Sequence, residues 1–147
     1  MSGLLQEGNG IRMVFDTMVL AYGLLGVEDF REESLKAIEK APAITVPELI
    51  RSELLNAVWQ WVRSGRADPE AGRAVIEDAE RLYTNIVPVS KLWPEAFGLA
   101  LEHNHSPFDT LFIAAARLEK TKLLTYDAKL HELFPDDCIG VVEFIKL

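Results

Sequence analysis

Four carboxylates in this chain stand at or near turns from strand to helix. Asp16 closes the apolar run in MVFDTMVL, and Asp127 closes KLLTY before AKLHELF. Asp109 is the fourth residue of SPFDTLFIAAARL, and Glu53 lies inside RSELLNAV. Each has an ordinary structural use. An Asp that precedes a helix accepts from orphan backbone N–H groups, which accounts for Asp16 and Asp127 one at a time. With Ser106 as N-cap and Pro107 as first helical residue, Asp109 takes the third place of a capping box. Glu53 fits a snorkelling or solvent-bridging residue at the margin of a helix. Capping accepts Ser, Thr or Asn as readily as Asp, yet a carboxylate recurs at these junctions.

Gathered in one place, such acids call for a counter-charge. Two carboxylates about 4 Å apart repel by roughly 4 kcal/mol at an effective dielectric of about 20. Several together would consume a sizeable part of a domain's usual stability of about 5–15 kcal/mol. Raised pKa values or a bound cation relieve that strain. Hard oxygen donors, with one cysteine in the chain and no placed histidine pair, suit Mg²⁺ or Mn²⁺ rather than zinc.

The elements that must position these acids follow from periodicity. Short apolar runs at 13–15, 43–46, 85–89, 122–126 and 139–144 read as buried strands. Pro88 places the third near an edge or makes it short. Helical patterns cover 17–25, 29–40, 46–64, 69–83, 91–103, 107–120 and 128–134. Alternation of this kind implies an α/β fold: a central, mostly parallel sheet of about five strands in a three-layer α/β/α sandwich. Ligands of such sheets bind beyond the carboxyl ends of the strands, where these acids fall. On the 46–64 helix, Val46, Ile50, Leu54, Ala57, Val58 and Trp61 form the apolar stripe, with Glu53 at its margin. Thr45 and Glu48 have capping-box spacing. Met18 reads as core, and Thr125 shares the strand face of Asp127.

At 147 residues, 49% hydrophobic and 26% charged, the chain is expected to form one domain over 13–147 behind a flexible leader at 1–12. No run approaches the roughly 20 apolar residues of a membrane span, and the lone Cys138 suits a reducing cytoplasm. A net charge of −8 argues against gripping nucleic acid through the overall field but leaves room for a local basic rim. Arg51, Lys91, Arg117 and Lys129 are the candidates for it, against a plain reading as solvated charges. His103, His105 and His131 read as surface residues, with His105 close enough to the Asp109 helix to touch nucleic acid, and Trp59 projects off the stripe, either toward an interface or partly buried.

The hydrophobic-strand Asp of MVFDTMVL, the mid-helix Glu of RSELLNAV and the segment HSPFDTLFIAAARLEKTKLLTYD together resemble the PIN domain family, most of all its VapC-type toxins. The resemblance runs from about Met13 to Phe144. It implies a PIN-like fold and a metal-dependent endoribonuclease, the toxin of a type II toxin–antitoxin pair. It further implies that Asp16, Glu53, Asp109 and Asp127 are both catalytic and metal-binding, with Thr17, Asn56 and Thr125 in support. Mg²⁺ or Mn²⁺ would be the cofactor; RNA, a cognate antitoxin and a second copy of the chain would be the partners. Met18 departs from the small polar residue usual two places after the first Asp, which bears on how Asp16 is hydrogen-bonded. A receiver domain would need paired acids after the first strand, and a haloacid-dehalogenase-type phosphatase would need D-x-D; Asp16-Thr17-Met18 offers neither. The remaining rival is a PIN-like module that binds RNA or protein without cutting.

Overall fold

A computed structural model of the protein describes residues 5–6, 10–26 and 29–147. Its strands are β1 (Leu5–Gln6), β2 (Gly10–Phe15), β3 (Ala43–Pro47), β4 (Asn85–Val87), β5 (Leu123–Leu124) and β6 (Cys138–Ile139). Its helices are α1 (Thr17–Leu25), α2 (Arg31–Lys40), α3 (Ile50–Arg63), α4 (Pro69–Leu82), α5 (Val89–His103), α6 (Pro107–Leu118), α7 (Ala128–Leu133) and α8 (Val141–Ile145).

Five strands pair in parallel in the order β4-β3-β2-β5-β6, and β1 pairs antiparallel with the start of β2. The chain builds outward from β2 through β3 to β4, then crosses back to lay β5 and β6 on the other side. The order therefore reverses between β2 and β5, and the carboxyl ends of those two strands border the crevice where such sheets bind ligands. Met13, Val14, Phe15, Leu123 and Leu124 are fully buried, as strands covered on both faces should be. Helix α6 packs against α5 and the sheet, its buried Ala114, Ala115 and Ala116 allowing close approach. Helices α1, α2, α3, α4 and α8 form the second layer. A smaller apolar cluster of Ala21, Leu54, Val58, Val75 and Ala79 ties α1 to α3 and α4. Gly23 is required where α1 meets α2, since a Cβ there would lie 2.7 Å from Ile38 Cδ1 and 3.2 Å from the Leu35 backbone nitrogen.

As expected, β4 is three residues long, lies at the sheet edge and ends before Pro88. Two expectations need correction. The run VVEF is helix α8, because the chain leaves the sheet at Gly140, the residue that precedes the helix. Thr45 and Glu48 form no capping box: Thr45 is buried in mid-strand and α3 begins only at Ile50, with Val46 still in β3. Within residues 1–12, Leu5–Gln6 and Gly10–Arg12 belong to strands β1 and β2, while residues 1–4 and 7–9 lie outside the described residues.

Candidate active site

Beyond the carboxyl ends of β2 and β5 lies a cavity of about 420 Å³ whose lining includes Asp16, Glu53, Asp109 and Asp127. Four residues distant in sequence thus share one concavity, together with Thr17 and Asn56.

Asp16 follows β2 directly and caps α1. Its Oδ1 accepts from the Thr17 backbone N–H at 2.8 Å, and its Oδ2 accepts from the Thr125 hydroxyl at 2.6 Å. Burial outweighs both bonds and lifts its pKa to about 6, with Asp109 and Asp127 adding repulsion. Glu53 lies in the first turn of α3, where its Oε1 accepts from the Thr17 hydroxyl at 2.7 Å. Burial also raises its pKa against that bond, and Asp16 and Asp109 push the same way. These mutual repulsions are the electrostatic mark of carboxylates that face one another.

Asp127 caps α7 through Oδ1, which accepts from Lys129 N–H at 2.9 Å and Leu130 N–H at 3.2 Å. Its own N–H donates to Thr125 Oγ1 at 3.0 Å. The buried Thr125 hydroxyl therefore joins the backbone of Asp127 to the carboxylate of Asp16. Asp109 does not cap its helix. Ser106 does so by accepting from Phe108 N–H at 3.2 Å, and the Asp109 carboxylate instead accepts from His105 Nε2 at 2.9 Å. Capping thus explains part of Asp16 and Asp127 and none of the Asp109 side chain.

The Met18 departure is resolved by this geometry. Both Asp16 oxygens have donors, and the hydroxyl that supplies the second comes from Thr125, since Thr17's hydroxyl serves Glu53. Met18 is half-buried: it packs against the smaller apolar cluster, as a core residue would, and also lines the cavity.

The ion pairs of Lys36, Arg51, Arg81, Arg117 and Lys129 engage other acids. Among the described residues, no group of three Asp, Glu, His or Cys side chains stands as a ready-made metal cage. A magnesium-type ion does not require one, for it keeps several waters and binds through one or two carboxylates. Oxygen donors without a nearby Lys or Arg partner, strained by burial and repulsion, fit such a hydrated cation.

The model of the PIN domain family matches residues 13–133, a span that contains all four acids. The chain belongs to the PIN domain family. Among curated relatives, Ribonuclease VapC3 of Pyrobaculum aerophilum is 26% identical over 127 residues, covering 85% of this chain and 96% of the relative. Among solved structures, PAE2754 from Pyrobaculum aerophilum superposes with a TM-score of 0.72 at 20% identity, covering 92% of this chain and 87% of that one. A toxin–antitoxin complex from Klebsiella pneumoniae gives 0.65 at 18% identity, covering 88% of this chain and 97% of that one. At such identities the two structures speak for a PIN-like fold, which the sheet and its flanking helices share.

Within this PIN domain several candidate phosphate contacts are otherwise engaged. Arg51 forks onto Glu80 with two bonds of 2.9 Å, and Arg117 holds Asp137 and Glu95. Lys129 stands 3.9 Å from Glu132. His131 donates to the Thr125 carbonyl at 2.9 Å, steadying the strand end. Tyr22, Tyr126 and Gln60 line the site without having been expected there, and His105, expected as a surface residue, instead binds Asp109. The one available signal was the four-residue interval between His105 and Asp109, which places them on the same side where α6 begins.

Proposed function

We propose that this PIN domain is an endoribonuclease that hydrolyses RNA phosphodiester bonds as the toxin of a type II toxin–antitoxin pair. One observation carries the reading: Asp16, Glu53, Asp109 and Asp127 line a single cavity at the switch point of the sheet. A relative named as a ribonuclease, matched along nearly its whole length, supports it.

In this reading Asp16, Glu53, Asp109 and Asp127 hold Mg²⁺ or Mn²⁺. The cation supplies Lewis acidity at the scissile phosphate when bound. The chain's own residues prepare the site. Thr17 and Thr125 aim the carboxylates of Glu53 and Asp16 by donating to one oxygen of each. His105 orients Asp109, and Asn56 extends the polar wall. Asp109 and Glu53 are the groups placed to take a proton from an attacking water. The products are then a 5′-phosphate and a 3′-hydroxyl.

The fold likeness to a protein solved as a toxin–antitoxin complex supports an antitoxin partner. A groove of about 590 Å³ between α3 and α4, walled by Leu55, Trp59 and Ile76, offers it an apolar seat. Homodimer formation is supported by α5, where Val89, Trp93, Phe97 and Leu101 recur at four-residue intervals with their side chains exposed. Among the described residues no helix is long and apolar enough to cross a membrane. We place the protein in the cytoplasm, with residues 13–147 acting as one domain behind the N-terminal segment.

The test is incubation with single-stranded and structured RNAs plus Mn²⁺, with and without EDTA. Cleavage that stops with chelator and in Asp109→Asn is the expected result. Cleavage that survives either change rules the reading out. Intact RNA in every condition, with no Mn²⁺-dependent rise in melting temperature, points instead to a non-cutting module.

A further inference from the structure

The acids occupy only part of the cavity. The rest is built largely from rings and side-chain amides. Tyr22 of α1 and Tyr126, next to Asp127, both line it. Their rings lie 5.6 Å apart, edge to face. Phe30 and Trp61 back Tyr22 at 5.3 and 5.9 Å, so the wall is braced from behind. The Tyr126 hydroxyl is turned into the protein, 2.6 Å from Ser34 Oγ. That residue therefore offers the cavity its ring. On α3, Glu53, Asn56 and Gln60 follow at three- and four-residue intervals, which lays one acid and then two exposed amides along one side of the helix. All three line the same cavity.

We propose that this part of the cavity is a subsite for an unpaired nucleobase beside the scissile phosphate, stacked on the Tyr22 ring with the Tyr126 ring against its side, and read along its edge by Gln60 and Asn56. The proposal rests on the ribonuclease reading and deepens it. Aromatic rings take up any base through its π-face. Side-chain amides match the adjacent donor and acceptor of a base edge. The described lining contains neither Lys nor Arg, and its carboxylates repel anions, so a neutral heterocycle suits this wall better than a phosphate. A base held in a duplex has its faces covered and its edge paired, so the subsite admits only single-stranded or looped RNA.

The test uses two variants and two readouts. Gln60→Ala changes an exposed side chain and should leave the fold intact; Tyr22→Leu keeps apolar volume but removes the stack. With a degenerate single-stranded RNA library and Mn²⁺, the ends produced by the unmodified protein should show a base preference at one position next to the cut. Gln60→Ala should flatten that preference. Tyr22→Leu should raise KM roughly tenfold with kcat within about twofold, the scale of one lost base stack. Independently of cleavage, binding of a fluorescein-labelled hexaribonucleotide pool in Ca²⁺ should weaken by about the same factor in Tyr22→Leu and measurably in Gln60→Ala. Unchanged preference, KM and binding in both variants overturn the subsite while leaving the ribonuclease reading intact. Equal cleavage of the same sequence in duplex form also overturns it. Binding that depends on Tyr22 and Gln60 without any cleavage keeps the subsite and rejects the ribonuclease. Variants that lose only an antitoxin-type helical peptide and bind RNA normally assign the cavity to a protein partner and overturn the proposal.

Discussion

Replacing Asp16 by Asn should stabilise the metal-free protein, because burial makes this carboxylate costly. Its pKa rises from 3.8 to about 6 in the folded state, which at about 1.36 kcal/mol per pH unit corresponds to about 3 kcal/mol at neutral pH. The folded protein binds this proton more tightly than the unfolded chain, so the favourable contribution is complete below about pH 4 and is lost as pH rises through about 6. Asn keeps the Oδ1 that caps α1 and puts Nδ2 where Oδ2 accepted from Thr125, whose hydroxyl already accepts from Asp127 N–H. Loss of the Thr125 donor bond costs about 1 kcal/mol. The net gain is about 2 kcal/mol, or roughly 4 to 8 °C in Tm for a chain of this size. Thermal and urea unfolding in EDTA at pH 7.5 and pH 4 measure it. Asp16→Asn should melt higher at pH 7.5, most of the gain should vanish at pH 4, and Mn²⁺ should stabilise only the unmodified protein. A variant equally or less stable than the parent at pH 7.5, or a gain of the same size at both pH values, would refute the reasoning.

Other outcomes follow from the same geometry. Thr17→Val removes the hydroxyl that donates to Glu53 Oε1 at 2.7 Å and should cost about 1–3 kcal/mol in urea unfolding, with Thr17→Ser close to the parent. The rise in Tm produced by Mn²⁺ should shrink as pH falls through about 6, where Asp16 takes up its proton; a pH-independent rise would place the ion elsewhere. Gly23→Ala sets a Cβ 2.7 Å from Ile38 Cδ1 and against the α2 backbone. It should cost about 1–3 kcal/mol by prying α1 from α2, read as a lower urea midpoint.

The layout of the sheet was legible because parallel strands carry near-continuous apolar runs, and the junctions after β2 and β5 could be read from Asp16 and Asp127 alone. Asp109 was legible as a helix-start acid and Glu53 as an acid at the margin of an apolar stripe, though the use of the Asp109 carboxylate was not. Its partner His105 precedes the helix, and its orientation depends on how the loop curls back. VVEF was misread because β-branched residues suit strands; its place as a helix is set by the core that Val141 and Phe144 cover. Arg51 and Arg117 looked available for phosphate until Glu80, Glu95 and Asp137, from other elements, were brought beside them. The aromatic wall was invisible for the same reason. Tyr22 and Tyr126 lie more than a hundred positions apart, and no local pattern announces their contact.

The account depends on a divalent cation binding among the four carboxylates, and crystals soaked in Mn²⁺ and measured at the manganese absorption edge test that directly. An anomalous peak should appear in the cavity, within about 2–2.5 Å of carboxylate oxygens drawn from Asp16, Glu53, Asp109 and Asp127. A cavity without a peak, or a peak held by acids elsewhere on the surface, would contradict it.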